Sequence, residues 1–415
     1  MEKSILGFID LKSVGEWEML NFYSSSSKAV NTEKAVVECI ENSIGKDFEK
    51  ASLIIVHSAS GHNFEQMLAK FRSLCPKAEI VGCTGSGVIG NGFVSEAIRS
   101  MAIMVITGDE FAISSISGIN AASSVSVASE CAKNLLAKDK NIKNMIVMGP
   151  GLDVNGDGII QGLESVLGSD IPMAGATGGF GGTTPRTPIF HNETILDDGL
   201  VLVGLTDPTL KMIQTAHHGN LPQEKHRFKI TKAEGVRIDE LDGKPAWPTF
   251  LEAIGMAPET SPMEAILLIS FGIDLSPEDA KLYDNKQILR AAIGLSEDGK
   301  SMILPSEVKE GSELVSCQRD EDYLFNGVDR LVERTLSDIG ESKPVSVLQA
   351  DCMARGRMGH NVVDKSEIIK RLQKPFPKHE ELPWVGVYGF GEFGQLNGKN
   401  RFHNYTTSIS VICRD

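Results

Sequence analysis

GVYGFGEFG, residues 386–394, carries glycines at its first, fourth, sixth and ninth positions and contains the pattern GxGxxG. That pattern marks a dinucleotide-binding turn only where it opens a helix and an acidic residue follows about twenty residues later. Here QLNGKNRFHNYTT follows, in which Asn397-Gly398 is a hairpin turn signal that leads into a β-branched strand. The stretch is therefore predicted to be a glycine-rich strand end and not a nucleotide site.

Two earlier stretches of the chain repeat this glycine pattern. GCTGSGVIG at residues 82–90 superposes on all four glycines, and GATGGFGG at 175–182 shares the Gly-x-Thr-Gly start of that first copy. In each copy an apolar run and a helical stretch precede the glycines, and a further apolar run follows them. Self-similarity of this kind marks an internal repeat. The second and third copies also share the tripeptide FHN, at 190–192 and 402–404.

The repeat predicts an α/β (α+β) fold in which strand-helix-strand-strand units form mixed sheets. The segment between the second and third copies departs from the repeat and contains short strand-like runs, a turn at Asp242-Gly243 and a long amphipathic helix over 321–339. The polar stretch HHGNLPQEKH around residue 220 is the best place for a boundary. We therefore expect two domains, over residues 1–220 and 221–415.

Composition excludes several classes of protein. The 415 residues carry a formal net charge of −14, and their lysines and arginines are scattered, which argues against binding to nucleic acid or to an anionic membrane surface. The seven cysteines form no CxxC pair and are expected to be reduced thiols. No apolar run approaches the length of a signal peptide core or a membrane helix. We expect a cytoplasmic protein without membrane insertion.

An ordered set of motifs resembles the FIST family, with its N-terminal and C-terminal FIST domains in tandem. The resemblance spans nearly the whole chain and rests on GCTGSGVI, GLDVNGDGIIQGL, AGATGGFG, EGVRIDELDGKPA, DCMARGRMG and YGFGEFGQLNG with FHNYTTSI. It implies an intracellular sensory protein that binds a small metabolite such as an amino acid and acts on a partner signalling protein, such as a histidine kinase. Stand-alone members include haem-binding nitric-oxide sensors. Two alternatives therefore stay open: a haem-based nitric-oxide sensor that regulates a histidine kinase or a cyclic-di-GMP enzyme, and a ligand-free adaptor or scaffold.

The ligand site is expected at the glycine-rich strand ends, where backbone N–H groups from three related units suit a carboxylate or a phosphate. Arg355 is suited to hold an acid through two parallel hydrogen bonds, and Glu392 is the charged residue of the opening stretch. Tight turns and a cap at Asn404 would also explain these residues, so a purely architectural role stays open. The candidate ligand-binding residues are Gly85, Thr177, Gly178, Arg355, Gly391, Glu392, His403 and Asn404.

Two metal hypotheses also follow from the residues. Haem would need an axial ligand, for which His217, His191 and His403 are the candidates near loop ends. DVNGDGIIQGLE at 153–164 fits the calcium-loop pattern DxNxDGxxxxxE, with oxygens from Asp153, Asn155, Asp157 and Glu164, although a strand precedes it in place of a helix. The signatures of serine hydrolases, zinc proteases, P-loop proteins and kinases do not occur in the sequence, so we expect no catalysis.

Overall fold

The computed structural model describes residues 19–181, 185–356 and 362–415, together with their side chains except at 362–365. Two consecutive units, each with the order strand, helix, strand, helix, strand, hairpin, strand, begin the fold. The first holds β1 (Asn21–Ser27), α1 (Thr32–Ile44), β2 (Leu53–Ala59), α2 (Phe64–Leu74), β3 (Glu79–Gly85), β4 (Gly87–Gly90), β5 (Phe93–Ser95) and β6 (Met101–Thr107). The second holds β7 (Phe111–Ile116), α3 (Ser124–Lys138), β8 (Asn144–Gly149), α4 (Gly156–Leu167), β9 (Met173–Thr177), β10 (Ile189–His191), β11 (Thr194–Leu196) and β12 (Leu200–Leu205).

A third unit is split by an insert over residues 220–319. It starts with β13 (Leu210–His218), and the insert follows as β14 (Asn220–Glu234), β15 (Arg237–Leu241), β16 (Lys244–Pro245), α5 (Ala246–Ile254), α6 (Pro262–Ala265), β17 (Ser270–Asp274), α7 (Pro277–Tyr283), β18 (Gln287–Arg290), β19 (Gly294–Leu295), β20 (Met302–Ile303) and β21 (Glu313–Arg319). The unit then resumes as α8 (Glu321–Ile339), β22 (Lys343–Cys352), α9 (Val362–Gln373), β23 (Trp384–Gly389), β24 (Gly391–Leu396), β25 (Lys399–His403) and β26 (Thr406–Arg414).

Each unit builds most of one six-stranded sheet and lends its hairpin to another. The first sheet has the order β1-β6-β2-β3-β10-β11, the second β25-β24-β9-β8-β12-β7, and the third β13-β26-β22-β23-β4-β5. The hairpin of the first unit thus completes the third sheet, that of the second completes the first sheet, and that of the third completes the second. The three units close a ring. The insert forms its own eight-stranded sheet.

Buried apolar residues lie on both faces of these sheets. One cluster joins inner-face residues of all three units, for example Ile55, Val203 and Val387, and three further clusters lie between the outer faces and the helix pairs α1/α2, α3/α4 and α8/α9. Helix starts are set by local chemistry, since the side chains of Asn63 and Asn155 accept hydrogen bonds from backbone N–H groups in the first turns of α2 and α4. The insert has its own apolar core.

The predicted α/β class with repeated units in mixed sheets is confirmed. The repeat is longer than predicted, because a strand and a helix precede the predicted part of each unit: β1 and α1, β7 and α3, β13 and α8. The helix predicted over 321–339 is α8, and it belongs to the third unit. The insert hides this relation by separating α8 from β13. The boundary near residue 220 stays a prediction.

The shared FHN tripeptide proves not to be a repeated feature. His191 ends β10, the first strand of its hairpin, and Asn192 lies in the hairpin turn at φ 54°. His403 ends β25, the second strand of its hairpin, and the counterpart of Asn192 is Asn397, also at φ 54°. Asparagine tolerates this left-handed conformation better than most residues, which accounts for its use in both turns.

Within the described residues, none of the helices combines the length and the apolarity that a membrane crossing requires.

Candidate functional site

A cluster of buried polar side chains lies in the third unit where β22 ends and β24, β25 and β26 meet. We call it the polar cluster, and it comprises Asp351, Arg355, Glu392, His403, Asn404 and Thr406, with Tyr283 of the insert against it. Apolar residues of the insert cover it, since Val315 and Cys317 of β21 pack with Cys352 and Tyr405. The cluster is therefore enclosed between the third unit and the insert.

Asp351 and Arg355 form an ion pair that is almost entirely buried. The Arg355 Nε–H donates to Asp351 Oδ1 at 3.0 Å, and the side chains are 4% and 2% exposed. Gln349 Nε2 donates to the second carboxylate oxygen at 3.1 Å. One edge of the guanidinium is thus held in place by the protein.

Glu392 and His403 face each other across the β24–β25 ladder. The backbone N–H of Thr406 donates to Glu392 Oε2 at 3.3 Å, and Asn404 Nδ2 donates to the carbonyl of Phe390 at 3.0 Å. Glu392, His403 and Asn404 are each 0% exposed. Three polar side chains are therefore fixed beside one another without access to solvent.

Several polar atoms of this cluster have no hydrogen-bond partner among the described residues. They include two donors, Nη1 and Nη2 of Arg355, and three acceptor positions, Glu392 Oε1, Asn404 Oδ1 and His403 Nε2. Each unpaired buried polar group costs about 1–3 kcal/mol, and more when it is charged. The fold alone does not require this arrangement, so the cluster has the character of a binding site.

The corresponding positions of the other two units carry no charge. Glu392 of β24 lies opposite Ala176 of β9. At the same place in the other two sheets, Ile189 of β10 lies opposite Cys83 and Val88 of β4 lies opposite Val387. Val88 and Ile189 are therefore the counterparts of Glu392 in the first and second units. Asp351 of β22 lies opposite Tyr388 of β23. The residues at the corresponding positions of the first and second units are Ser58 of β2 and Gly149 of β8. The same backbone is thus built twice without these carboxylates, which supports a functional role for them in the third unit.

Burial shifts the pKa values of three side chains in the polar cluster. Desolvation, reinforced by the charge of Asp351, raises the pKa of Glu392 well above its usual value, and desolvation also raises the pKa of Asp351 despite the opposing effect of Arg355. Burial lowers the pKa of His403 to about 3. The imidazole is therefore neutral at physiological pH.

The two raised carboxyl pKa values predict how stability depends on pH. Because the folded state holds these protons more tightly than the unfolded chain, the free energy of unfolding should fall as pH rises above about 4, by at most ~1.4 kcal/mol per pH unit for each carboxyl. Urea unfolding of the ligand-free protein at several pH values measures this slope. Glu392→Gln should reduce it, whereas the exposed control Glu41→Gln should not. An unchanged slope in Glu392→Gln would contradict the assignment.

The remaining predicted residues lie where strand ends of different units cross. The Gly179 N–H donates to Thr84 O and the Ser86 N–H to Tyr388 O, both at 2.9 Å, while Gly391 lies opposite Thr177 in the β9–β24 pair. A Cβ atom at Gly85 would overlap Val387, and one at Gly178 would press on Thr187. Glycine is needed here for close backbone approach. Arg355, Glu392, His403 and Asn404 come together, whereas Gly85, Thr177 and Gly178 serve the crossing.

The three haem-ligand candidates lie in different surroundings. His191 contacts Ser115 Oγ at 2.6 Å through Nδ1 and borders a surface cavity of about 590 Å³. His217 is buried with the Cα of Gly327 packed against its ring, so an iron and a porphyrin do not fit at its nitrogens. His403 is enclosed in the polar cluster. His217 and His403 are packed too closely for haem, and haem binding at His191 stays a prediction.

The calcium-loop hypothesis is not supported by the local structure. α4 begins at Gly156, so Asp157 and Glu164 lie in a helix. Asn155 caps that helix, Asp157 pairs with Arg290 at 3.0 Å, and Glu164 accepts from Asn400 at 3.0 Å. Across the described ranges, no group of three or more acidic, histidine or cysteine side chains is placed to hold a metal ion.

Sequence reasoning missed three residues of the site, Asp351, Thr406 and Tyr283. Asp351 directly precedes the CMAR stretch that contains Arg355, and the i, i+4 spacing of opposite charges was the available signal. Tyr283 lies in the insert, far from the glycine repeats in sequence, and no sequence pattern connects it to the site. Cys352, which follows Asp351, is 4% exposed, and burial raises its pKa.

Comparison with known proteins identifies the family to which this chain belongs. The FIST N domain model matches residues 52–244 and the FIST C domain model matches residues 246–395. The chain belongs to the FIST family, whose domains are sensory domains of signal transduction.

Individual relatives share about a quarter of their aligned residues with this chain. An uncharacterised protein of Mycobacterium bovis is 23% identical over 66% of this chain and 64% of its own length, so the chain spans less than two thirds of that relative. One from Methanocaldococcus jannaschii is 24% identical over 90% of this chain and 75% of its own length. Among solved structures, a cyanuric acid hydrolase from A. caulinodans is 10% identical, with a TM-score of 0.34 over 95% of this chain and 99% of that chain.

Proposed function

We propose that this protein is a non-catalytic, cytoplasmic sensor that binds a free amino acid in the polar cluster and reports its presence to a partner signalling protein. The observation that carries the proposal is the pairing of unsatisfied groups: two guanidinium nitrogens on one side and three acceptors on the other. A ligand with one carboxylate and one ammonium group satisfies both sets.

The guanidinium suits the carboxylate of such a ligand. With Nε engaged by Asp351, the Nη1 and Nη2 groups remain as donors. Arginine binds carboxylates through parallel N–H donors with good geometry. The ion pair with Asp351 orients the guanidinium before the ligand arrives, which lowers the entropic cost of binding.

The three acceptors suit an ammonium group. A primary ammonium has three N–H donors, and Glu392 Oε1, Asn404 Oδ1 and His403 Nε2 offer three acceptors. Asp351 and Glu392 together outnumber Arg355 in potential negative charge. This balance favours a zwitterion over a simple carboxylic acid, and complete burial favours a small ligand.

Titration calorimetry with each standard L-amino acid tests the proposal. At least one should bind and raise the melting temperature, while the 2-hydroxy acid with the same side chain should bind at least about tenfold more weakly because it lacks the ammonium. Arg355→Met should abolish binding, and Arg186→Met, at an exposed Arg–Asp pair, should leave it unchanged. Absence of heat and of any melting shift across the whole set would refute amino-acid sensing.

The partner is proposed to be a histidine kinase or a related signalling enzyme. The support is membership of a sensory family. A change in kinase autophosphorylation that depends on the amino acid would support this role. Partner binding that does not change with any metabolite would instead support the scaffold alternative. A Soret band after haemin addition would support the haem sensor.

A further inference from the structure

Tyr283 stands out because the insert supplies it to a cluster otherwise built by the third unit. It is the last residue of α7 and is 1% exposed. Its hydroxyl lies 3.3 Å from His403 Nδ1 and 3.1 Å from Thr406 Oγ1. The direction of these two hydrogen bonds decides which nitrogen of His403 carries its proton.

The chain of donors begins at Thr406. Its hydroxyl donates to the carbonyl oxygen of Asn404 at 2.9 Å, so Thr406 Oγ1 is left as an acceptor for the Tyr283 hydroxyl. Having given its proton to Thr406, the Tyr283 oxygen accepts from His403 Nδ1. In this chain of donors His403 carries its proton on Nδ1, and Nε2, which has no hydrogen-bond partner among the described residues, presents a lone pair.

We propose that Tyr283 is a positioning residue which, through Thr406, fixes His403 in the Nδ1–H form so that Nε2 acts as an acceptor in the ligand site. This inference rests on the proposed function for its consequence, because an Nε2–H group would point a donor at the ligand's ammonium and oppose binding. The insert thereby determines the preference of the site for an amine.

The neighbouring His218 provides an internal reference. Its Nδ1 accepts from the Asn220 N–H at 3.2 Å, so its proton lies on Nε2, which donates to the Gln287 carbonyl at 2.9 Å. Burial lowers the pKa of His218, like that of His403, to about 3. Both rings are neutral at pH 7, and they should show opposite tautomers in one sample.

Nitrogen-15 NMR of the histidine side chains in the full chain tests the assignment. In the ligand-free protein His403, identified by loss of its signals in His403→Gln, should show a protonated Nδ1, and His218 a protonated Nε2. Tyr283→Phe should move the His403 proton to Nε2. Thr406→Val should do the same with Tyr283 retained, because the phenol then donates to Nδ1, and this variant also serves if Tyr283→Phe does not fold.

Tyr323→Phe is the matched control. Tyr323 packs against His217, and its hydroxyl donates to the Asp284 carbonyl, so its loss should leave His403 unchanged. An Nε2–H signal for His403 in the wild type, or a proton that stays on Nδ1 in Tyr283→Phe, would overturn the proposal.

Binding measurements separate this inference from the proposed function. For an amino acid that binds the wild type, Tyr283→Phe should weaken affinity about tenfold, the scale of one hydrogen bond to a charged group, while the matching 2-hydroxy acid should change less. An equal loss for both ligands would contradict the amine-selecting role. A tautomer that follows Tyr283 in a protein to which no amino acid binds would uphold the hydrogen-bond chain and defeat amino-acid sensing alone.

Discussion

Asp351→Asn is expected to destabilise the protein by about 3 kcal/mol, because it removes the ion-pair partner of the buried Arg355 guanidinium. Arginine cannot release its proton to escape this cost. Arg355→Met should cost less at low pH, since Asp351 can then take up a proton. Urea unfolding of both variants measures the asymmetry.

Two further variants make this test specific. The double variant Asp351→Asn with Arg355→Met should recover most of the lost stability, because neither residue is then charged. Asp197→Asn removes an exposed partner of Arg186 and should cost no more than about 1 kcal/mol. Equal losses for the buried and exposed variants would show that the buried pair contributes nothing special.

Gly391→Ala should destabilise the protein by about 2–3 kcal/mol, an effect of similar size with a different cause. A Cβ atom at Gly391 would overlap the ring of Phe402. The ring has nowhere to move, because it also lies against the Cα of Gly156 and packs on Phe393 at 5.3 Å between centroids. Overpacking a filled core typically costs about 1–3 kcal/mol. The melting temperature and the unfolding free energy measure the loss.

Gly294→Ala is the matched control for this substitution. The nearest heavy atom to a Cβ at Gly294 is 3.8 Å away, which is ordinary contact. Its stability should therefore stay within about 0.5 kcal/mol of the wild type. If Gly391→Ala were equally mild, the Phe402 ring would have to be free to shift, and the packing argument would be wrong.

The repeated units could be predicted from the sequence because glycines recur at the same position of each unit. Gly85, Gly178 and Gly389 lie at matching strand ends, where backbones cross too closely for a side chain. The exchange of hairpins left no such signal, since nothing in the sequence of β4 identifies β23 as its partner strand. The role of α8 was also hidden, because the insert separates it from β13 in sequence.

The candidate site was predictable in part. Glu392 and Arg355 drew notice as charges in apolar or glycine-rich surroundings. The structure adds Asp351, which holds Arg355, and Tyr283, which no local pattern connects to His403. Matching FHN tripeptides misled the comparison of units, because a short shared motif fixes neither strand nor register.

The exchange of hairpins also constrains how the chain can be made. During synthesis β4 and β5 are made long before their partner β23 at residues 384–389, so an unpaired strand edge is exposed until β23 has been made. The second sheet is likewise incomplete until β24 and β25 have been made. Such long-range pairing slows folding and exposes intermediates to aggregation. The newborn chain should therefore depend on chaperones until β23, β24 and β25 have left the ribosome.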